Sequence, residues 1–229
     1  SDRIRFGIIG AGGKGWSGME AAAAHGDIGA ICDIDAETRF KANREHPRAS
    51  AFDDFRIMIE TMAHRMDAVV ISTPDHTHAP AAAMAMKAGL HVYCEKPLTR
   101  TIWEARQLAR IAREKKVMTQ MGNQGTATDG LRKAAALLKA GVYGAVKEIH
   151  CWTDRAGGWW PQGVERPAPA KCPKHVDFDL WLGPRPERPY AEGYHPFAWR
   201  GWWDFGTGSL GDLVCRLLLE KKELSNFLP

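Results

Sequence analysis

The sequence predicts an α/β protein in which about residues 1–125 form a doubly wound, parallel sheet. Short, continuously apolar segments alternate there with segments of helical periodicity, the pattern of parallel strands that helices cover on both faces. A glycine-rich turn, residues 10–15, follows the first apolar segment. The alternation stops after residue 125, which predicts a second domain over residues 126–229.

Five strands are predicted in the first domain, and local capping residues define the helices between them. The strands are residues 4–9, 28–32, 67–72, 90–94 and 117–121. The helices are residues 14–25, one capped by Asp35 that ends before Pro47, one capped by Asp53 that runs through Ala63, residues 80–88, and one from the capping box Thr101–Glu104 to about residue 116. Gly26 and Gly89 end the first and fourth helices.

The second domain has fewer regular signals. A helix is predicted at residues 131–139, ended by Gly141, and a strand at residues 145–152. Residues 152–203 contain seven of the nine tryptophans and eight of the thirteen prolines. Prolines interrupt helices and strands, so this segment is predicted to be irregular. It either lines a pocket with aromatic rings or wraps the domain through tryptophan packing, and both can hold.

Composition excludes several classes of protein. The net charge of +4 is spread along the chain and no long apolar segment is present, so neither nucleic acid nor a membrane is an expected partner. Ser1 begins no signal peptide, which favours a cytoplasmic location, with a periplasmic one after removal of a signal as the alternative. The five cysteines form no CxxC pair, and Cys172 with His175 is too small a set for a metal site.

The glycine-rich turn predicts a dinucleotide site. It has the pattern G-x-G-x-x-G between a strand and a helix, as a phosphate loop requires; its residues are Gly10, Gly12, Gly13, Lys14 and Gly15. The glycines let the backbone approach a pyrophosphate at the helix N-terminus. Asp33 ends the second strand, where an acidic side chain binds ribose hydroxyls and repels a 2′-phosphate. This combination predicts a Rossmann domain that binds NAD, with NADP less favoured.

Three polar segments follow successive strands of the predicted sheet. They are residues 73–78, residues 95–97 and residues 122–125. The carboxyl ends of parallel strands meet at one edge, where ligands of doubly wound sheets bind. A lysine at that edge, Lys96, can donate a hydrogen bond to a substrate oxygen or carry its proton.

Several of these motifs resemble one known family. GAGGKG, TPDHTH, AGLHVYCEKPLT and GNQG are similar to those of the glucose–fructose oxidoreductase/myo-inositol dehydrogenase (Gfo/Idh/MocA) family. The segments FDLWLGPRPERPY and YHPFAWRGWWDFGTGSLGD resemble one bacterial subgroup of it, so that the likeness covers about residues 3–212.

The resemblance implies a fold and a set of site residues. It implies that the Rossmann domain is followed by an α/β domain with an open, mostly antiparallel sheet, that sugars or inositols are substrates, that a homo-oligomer is possible, and that Lys96 is catalytic. The residues expected to line the cofactor are Thr73, Pro74, His76, His78, Glu95, Lys96, Asn123 and Gln124. Asp212 matches a family aspartate, but Arg216 stands where a histidine acid/base is usual. The second domain is therefore expected to be incomplete, in a chain truncated or altered after about residue 212.

Three functions remain open at this point. The leading hypothesis is an NAD-dependent dehydrogenase that transfers hydride between nicotinamide and a sugar, inositol or related polyol. The second is an NAD-dependent glycosidase that oxidises, eliminates, hydrates and reduces its substrate. The third is a non-catalytic dinucleotide-binding protein, which the missing histidine favours.

Overall fold

Six parallel strands form one sheet in the computed structural model, which describes residues 3–150, 152, 160–161 and 163–208. The strand order is β3-β2-β1-β4-β5-β6. The strands are β1 Ile4–Ile9, β2 Gly26–Cys32, β3 Ser50–Phe52, β4 Ala68–Ile71, β5 His91–Glu95 and β6 Thr119–Gly122. Successive strands are added on one side of β1 up to β3 and on its other side from β4 onward. Ligand crevices of doubly wound folds lie at this switch, between β1 and β4. The predicted parallel α/β fold is confirmed.

Helices cover both faces of this sheet. They are α1 Lys14–His25, α2 Ala36–Glu45, α3 Phe55–Met62, α4 Asp75–Lys87 and α5 Ile102–Lys115. Two caps are as predicted: Asp35 accepts from the N–H groups of Glu37 and Thr38, and Thr101 forms the full capping box with Glu104. Each cap satisfies backbone donors that the first turn leaves unpaired.

Three predictions of local structure within the first 125 residues were wrong. The cap of α3 is Asp54, which accepts from the N–H of Arg56, instead of Asp53. Helix α4 begins at Asp75, five residues before Pro80. The last four residues of the TPDHTH segment therefore form the first turn of a helix rather than a loop. Pro80 lies inside α4. Its missing N–H removes only the bond that residue 80 would donate to residue 76, so the turn before it still forms. Strand β3 was not predicted, since only three residues form it at the sheet edge.

Two apolar layers hold the helices on the sheet. One layer packs α3, α4 and α5 against it around Met58, Ile71 and Met86, and the other packs α1 and α2 around Ile8 and Met19. Since both faces are covered, the central strand β4 is apolar throughout and the second half of β1 is buried. Strand register pairs Ile9 with Ile71 across β1 and β4, which brings the loops after the strands to one edge.

The chain after β6 departs from its predicted structure. Helix α6, Asp129–Lys139, forms as expected, but every residue from 128 to 150 is exposed. The strand predicted over residues 145–152 was wrong for its described residues, 145–150 and 152, which are neither helix nor strand. A strand needs a hydrogen-bonded neighbour, and the described residues provide none for this segment.

An aromatic cluster packs the later part of the chain against the carboxyl edge of the sheet. Its buried members are Trp181, Leu182, Ala191, Tyr194, Trp199, Trp202 and Phe205. Helix α7, Phe178–Leu182, supplies Trp181, and a short 3₁₀ turn, Ala198–Gly201, supplies Trp199. The cluster docks on the start of α4, where the N–H of His76 donates to the carbonyl of Phe205 and the N–H of Thr207 donates to Asp75. The predicted irregular, aromatic character of this segment is confirmed for its described residues.

No helix in the described ranges is both long enough and apolar enough to cross a bilayer.

Candidate active site

The turn between β1 and α1 requires glycine at three positions. Gly10 has a φ of +82° and Gly13 a φ of +53°, which residues with a Cβ atom rarely adopt. A Cβ atom on Gly15 would overlap the carbonyl oxygen of Gly10. The turn therefore brings the start of α1 directly against the end of β1.

The outer side of this turn is open. A Cβ atom on Gly13 would meet nothing within 4 Å, and one on Gly12 would meet only the side chain of Thr38, at 3.3 Å. No described side chain caps the N-terminus of α1, and its first turn contains no acidic residue. Free N–H groups and the positive end of the helix dipole thus face an open cradle, which fits the pyrophosphate of a dinucleotide.

Asp33 links this turn to the end of β2. One carboxylate oxygen accepts from the N–H of Ala11 at 2.8 Å, and the other accepts from the N–H of Asp35 at 2.9 Å. Burial raises the pKa of Asp33, although these two backbone N–H groups act to lower it. Each oxygen retains a second lone pair, so the carboxylate can shape the loop and still accept from a ribose hydroxyl.

Lys96 lines a cavity of about 80 Å³ at the carboxyl edge of the sheet. Four other residues singled out from the sequence line the same cavity: Lys14, Thr73, His78 and Glu95. Pro74, which caps α4, lies between Thr73 and Asp75, and both of those neighbours line the cavity. Two of the three predicted segments, residues 73–78 and 95–97, thus meet at this cavity; the roles of their residues stay predictions.

Glu95 is the centre of a polar network beside Lys96. Its carboxylate accepts from the side-chain amide of Gln124 at 2.6 Å and lies 3.7 Å from the ammonium of Lys14. Gly122 makes this approach possible, because a Cβ atom there would lie 2.7 Å from the carboxyl carbon of Glu95. The network therefore joins the phosphate loop, β5 and the end of β6 through one buried carboxylate.

Two buried polar atoms at this edge have no hydrogen-bond partner among the described residues. They are the hydroxyl oxygen of Ser72, which belongs to a residue lining the cavity, and the side-chain carbonyl oxygen of Asn123. A buried polar atom without a partner is costly. An acceptor at Asn123 fits a donor such as the amide of a nicotinamide, so the residues present fit the cofactor that the phosphate loop implies.

His78 and His76 lie two positions apart on α4 and face opposite sides, since a helix turns about 200° over two residues. The two ring nitrogens of His78 lie 2.7 Å from the carbonyl oxygens of Pro97 and Thr73. Burial alone would lower the pKa of His78, but the Cys94 side chain, the carboxylate of Asp75 and the carbonyl of Pro97 raise it to about 10.

The structure places His76 away from the cavity, which corrects its expected position beside the cofactor. Its ring is fully buried among aromatic side chains. Its Nδ1 lies 3.3 Å from the carbonyl oxygen of Phe205, and its Nε2 makes the shorter hydrogen bond, 2.9 Å, with the carbonyl oxygen of Trp181. Burial lowers the pKa of His76 to about 4 despite that hydrogen bond. A neutral His76 therefore holds the aromatic cluster on α4.

Six cavity residues were not among the site residues predicted from the sequence: Ser72, Asp75, Trp160, Trp199, Arg200 and Gly208. The guanidinium of Arg200 lies over the ring of Trp199, 4.1 Å from its centre. The density of tryptophans in this segment predicted an aromatic pocket wall, but not which rings form it. Asp212 and Arg216, which the sequence also singled out, lie outside the described residues.

Comparison with known proteins identifies the two parts of the chain. A family described as "Oxidoreductase family, NAD-binding Rossmann fold" matches residues 4–123, more than half of the chain. A second family, "Oxidoreductase family, C-terminal alpha/beta domain", matches residues 133–220.

Individual relatives extend this finding. The rhizopine catabolism protein MocA of Rhizobium meliloti is 32% identical over 152 residues, which cover 66% of this chain and 47% of that protein. Glycosyl hydrolase family 109 protein 1 of Shewanella sp. is 31% identical over 151 residues, covering 62% and 33% respectively. The crystal structure of myo-inositol 2-dehydrogenase from Lactobacillus plantarum has a TM-score of 0.59 and 26% identity, covering 63% of this chain and 43% of that one. Each match thus spans less than half of the known protein.

Proposed function

The chain belongs to the Gfo/Idh/MocA oxidoreductase family, and from this membership we propose that it transfers hydride between a sugar, inositol or related polyol and NAD. The single observation that supports this most is the position of Lys96, at the rim of a cavity that also contains Lys14 of the phosphate loop. A dinucleotide held by that loop would extend along the carboxyl edge of the sheet, where Lys96 lies.

The proposed cofactor contacts follow from the geometry of the edge. The N-terminus of α1 and Lys14 bind the pyrophosphate, Asp33 accepts from the adenosine ribose, and Asn123 accepts from the nicotinamide amide. Glu95 holds Lys14 and Gln124 in place through the contacts described above. When bound, NAD supplies the acceptor for the hydride.

Lys96 is the residue proposed to act on the substrate. Oxidation of a CH–OH group transfers a hydride from carbon to NAD and releases the proton of the oxygen to solvent, so negative charge develops on that oxygen. The ammonium of Lys96 donates a hydrogen bond to it, which lowers the pKa of the hydroxyl and stabilises the charge. Asp212, the second residue proposed for the chemistry, lies outside the described part of the chain.

Incubation with NAD and a panel of sugars, inositols and their derivatives tests this function. Net formation of NADH with one class of polyol is the expected result. Cofactor binding without turnover of any compound in the panel would instead support the non-catalytic alternative, and absence of cofactor binding would contradict the proposal entirely.

We expect the protein to bind NAD more tightly than NADP, because a carboxylate at Asp33 repels a 2′-phosphate. Titration of both cofactors, followed by the quenching of tryptophan fluorescence, measures the preference. In Asp33→Asn the dissociation constant for NADP divided by that for NAD should fall by about tenfold. A tenfold change corresponds to about 1.4 kcal/mol, the scale of a single charge contact. Both constants should also rise, because an amide cannot accept from both Ala11 and Asp35.

Arg39 provides the matched control for that experiment. Its guanidinium donates to the backbone carbonyl of Asp33 at 2.5 Å, so it is a cation beside the residue that a 2′-phosphate would approach. Arg39→Ala should leave the affinity for NAD within about twofold and weaken any binding of NADP. Equal or tighter binding of NADP by the unsubstituted protein would refute the preference.

The similarity to a glycosyl hydrolase family 109 protein supports a second candidate, the NAD-dependent glycosidase. That reaction first oxidises the sugar and finally reduces it, so the cofactor is regenerated within each turnover. Release of nitrophenol from nitrophenyl glycosides with catalytic NAD and no net NADH would favour this candidate over the dehydrogenase.

A further inference from the structure

His78 contacts two backbone carbonyl oxygens and no described backbone donor. Its Nδ1 lies 2.7 Å from the oxygen of Pro97, and its Nε2 lies 2.7 Å from the oxygen of Thr73. A neutral imidazole has one N–H donor and one lone-pair acceptor. In either neutral tautomer, therefore, a lone pair would face a carbonyl oxygen at hydrogen-bond distance.

We propose that His78 is an imidazolium at neutral pH, that it donates a hydrogen bond from each ring nitrogen, and that it thereby positions the loop of Lys96 against the start of α4. Pro97 directly follows Lys96, and Thr73 directly precedes the N-cap of α4. The two bonds thus join the segment that carries the lysine to the segment that faces the cofactor. The positional role rests on the proposed function; the charge state of the ring does not.

The surroundings of His78 determine whether a buried cation is tolerated there. The ring is 1% exposed, and the first turn of a helix disfavours positive charge. Against this, the side chain of Cys94 on β5 and the carboxylate of Asp75 in the same turn both favour the charged form of the ring. Glu95 lines the same cavity, as does Lys96, which opposes the charge. His76, the remaining titratable neighbour on α4, adds no charge, because burial lowers its pKa to about 4. Its ring nitrogens lie 3.3 Å and 2.9 Å from carbonyl oxygens, farther than the 2.7 Å of both contacts of His78.

The charge state has a consequence for stability that can be measured without cofactor or substrate. The pKa of His78 is raised in the folded protein to about 10 from an ordinary value of about 6.5. Its stabilising contribution is therefore complete below pH 6.5 or so and is lost as the pH rises toward 10. Between these limits the folded state holds one more proton, so the unfolding equilibrium constant rises about tenfold for each pH unit.

The first test is nitrogen-15 NMR of histidine-labelled protein near neutral pH. An imidazolium gives two ring-nitrogen signals in the N–H region, whereas a neutral ring gives one signal shifted far downfield. His78, assigned by its loss in His78→Gln, should give two N–H signals, and His76, assigned with His76→Gln, should give the neutral pattern. A downfield, lone-pair nitrogen at His78 would overturn the proposal, and this result needs no folded variant other than for assignment.

The second test compares the two glutamine variants by urea unfolding between about pH 7 and pH 9. Over this range the unfolding constant of the unsubstituted protein should rise about 100-fold more than that of His78→Gln. His76→Gln should keep the pH dependence of the unsubstituted protein, because the pKa of His76 is lowered and its titration lies below this range. Parallel curves for His78→Gln and the unsubstituted protein would contradict a buried imidazolium.

Amide hydrogen exchange tests the positional role. Peptides that span residues 95–100 should exchange faster in His78→Gln, while in His76→Gln the faster exchange should fall on residues 181–205. Unchanged exchange at residues 95–100 in a folded His78→Gln would show that His78 does not hold the loop of Lys96. None of these readouts depends on turnover, so failure of the proposed function leaves the outcome interpretable.

Discussion

Replacing Lys96 with alanine is expected to lower turnover about 100- to 1000-fold while the dissociation constant for NAD stays within a few-fold. This is the cost of removing one donor that stabilises charge developing on a reacting oxygen. Lys96 follows β5, whereas the proposed pyrophosphate contacts come from the start of α1. Initial rates of NADH formation and a cofactor titration, both on the same preparation, measure the two quantities.

Two variants control for charge and for surface lysine loss. Lys96→Arg keeps the positive charge but replaces a compact ammonium by a planar guanidinium, so it should recover only a small part of the activity. Lys87→Ala removes an exposed lysine at the end of α4 and should behave as the unsubstituted protein. If Lys96→Ala retains full turnover, Lys96 is not the residue that acts on the substrate.

Gly12→Val is expected to weaken NAD binding at least about a hundredfold, or about 2.7 kcal/mol, in a protein that still folds. The added atoms would occupy the cradle above the N-terminus of α1, where the backbone must approach the pyrophosphate. The fold should tolerate them, because a Cβ atom at Gly12 meets only the flexible side chain of Thr38. Cofactor titration and thermal unfolding of the same sample separate the two effects.

Other glycines give the matched comparisons. Gly130→Ala adds a Cβ atom that meets nothing within 4 Å, in an exposed helix, and should leave both cofactor affinity and folding unchanged. Gly15→Ala should instead fail to fold normally, since its Cβ atom would overlap the backbone of Gly10. Retained NAD affinity in folded Gly12→Val would show that this loop does not hold the phosphates.

The parts of the fold that depend on local chemistry were predictable from the sequence. Asp35 and Thr101 cap their helices with contacts inside a few residues, so the pattern alone locates them. The start of α4 was not predictable in this way, because no side chain caps it and Pro80 imitates a helix start. Of two adjacent aspartates, only tertiary geometry selects Asp54 over Asp53 as the cap of α3.

Some residues of the candidate site were predictable from the sequence, and others reach the site only through tertiary packing. Glu95 ends β5 and Lys96 follows it, while Lys14 begins the helix after β1. A parallel sheet therefore brings all three to one edge. Trp199 and Arg200 reach the cavity through the packing of the aromatic cluster, for which the sequence has no local signal. The opposite orientations of His76 and His78 follow from helical geometry only after the helix is known to begin at Asp75.

The contacts between the aromatic cluster and α4 join parts of the chain that are very distant in sequence. The ring of His76 meets Phe205 across 129 positions, and Asp75 meets Thr207 across 132. Contacts of this separation carry a large loop-closure entropy and form late in folding. During synthesis, residues 4–122 emerge first and contain every strand of the sheet. The sheet and the phosphate loop can therefore form during synthesis before Trp199 and Arg200 have been made. In the folded protein, we expect local unfolding to separate the aromatic cluster from α4 before it disturbs the sheet.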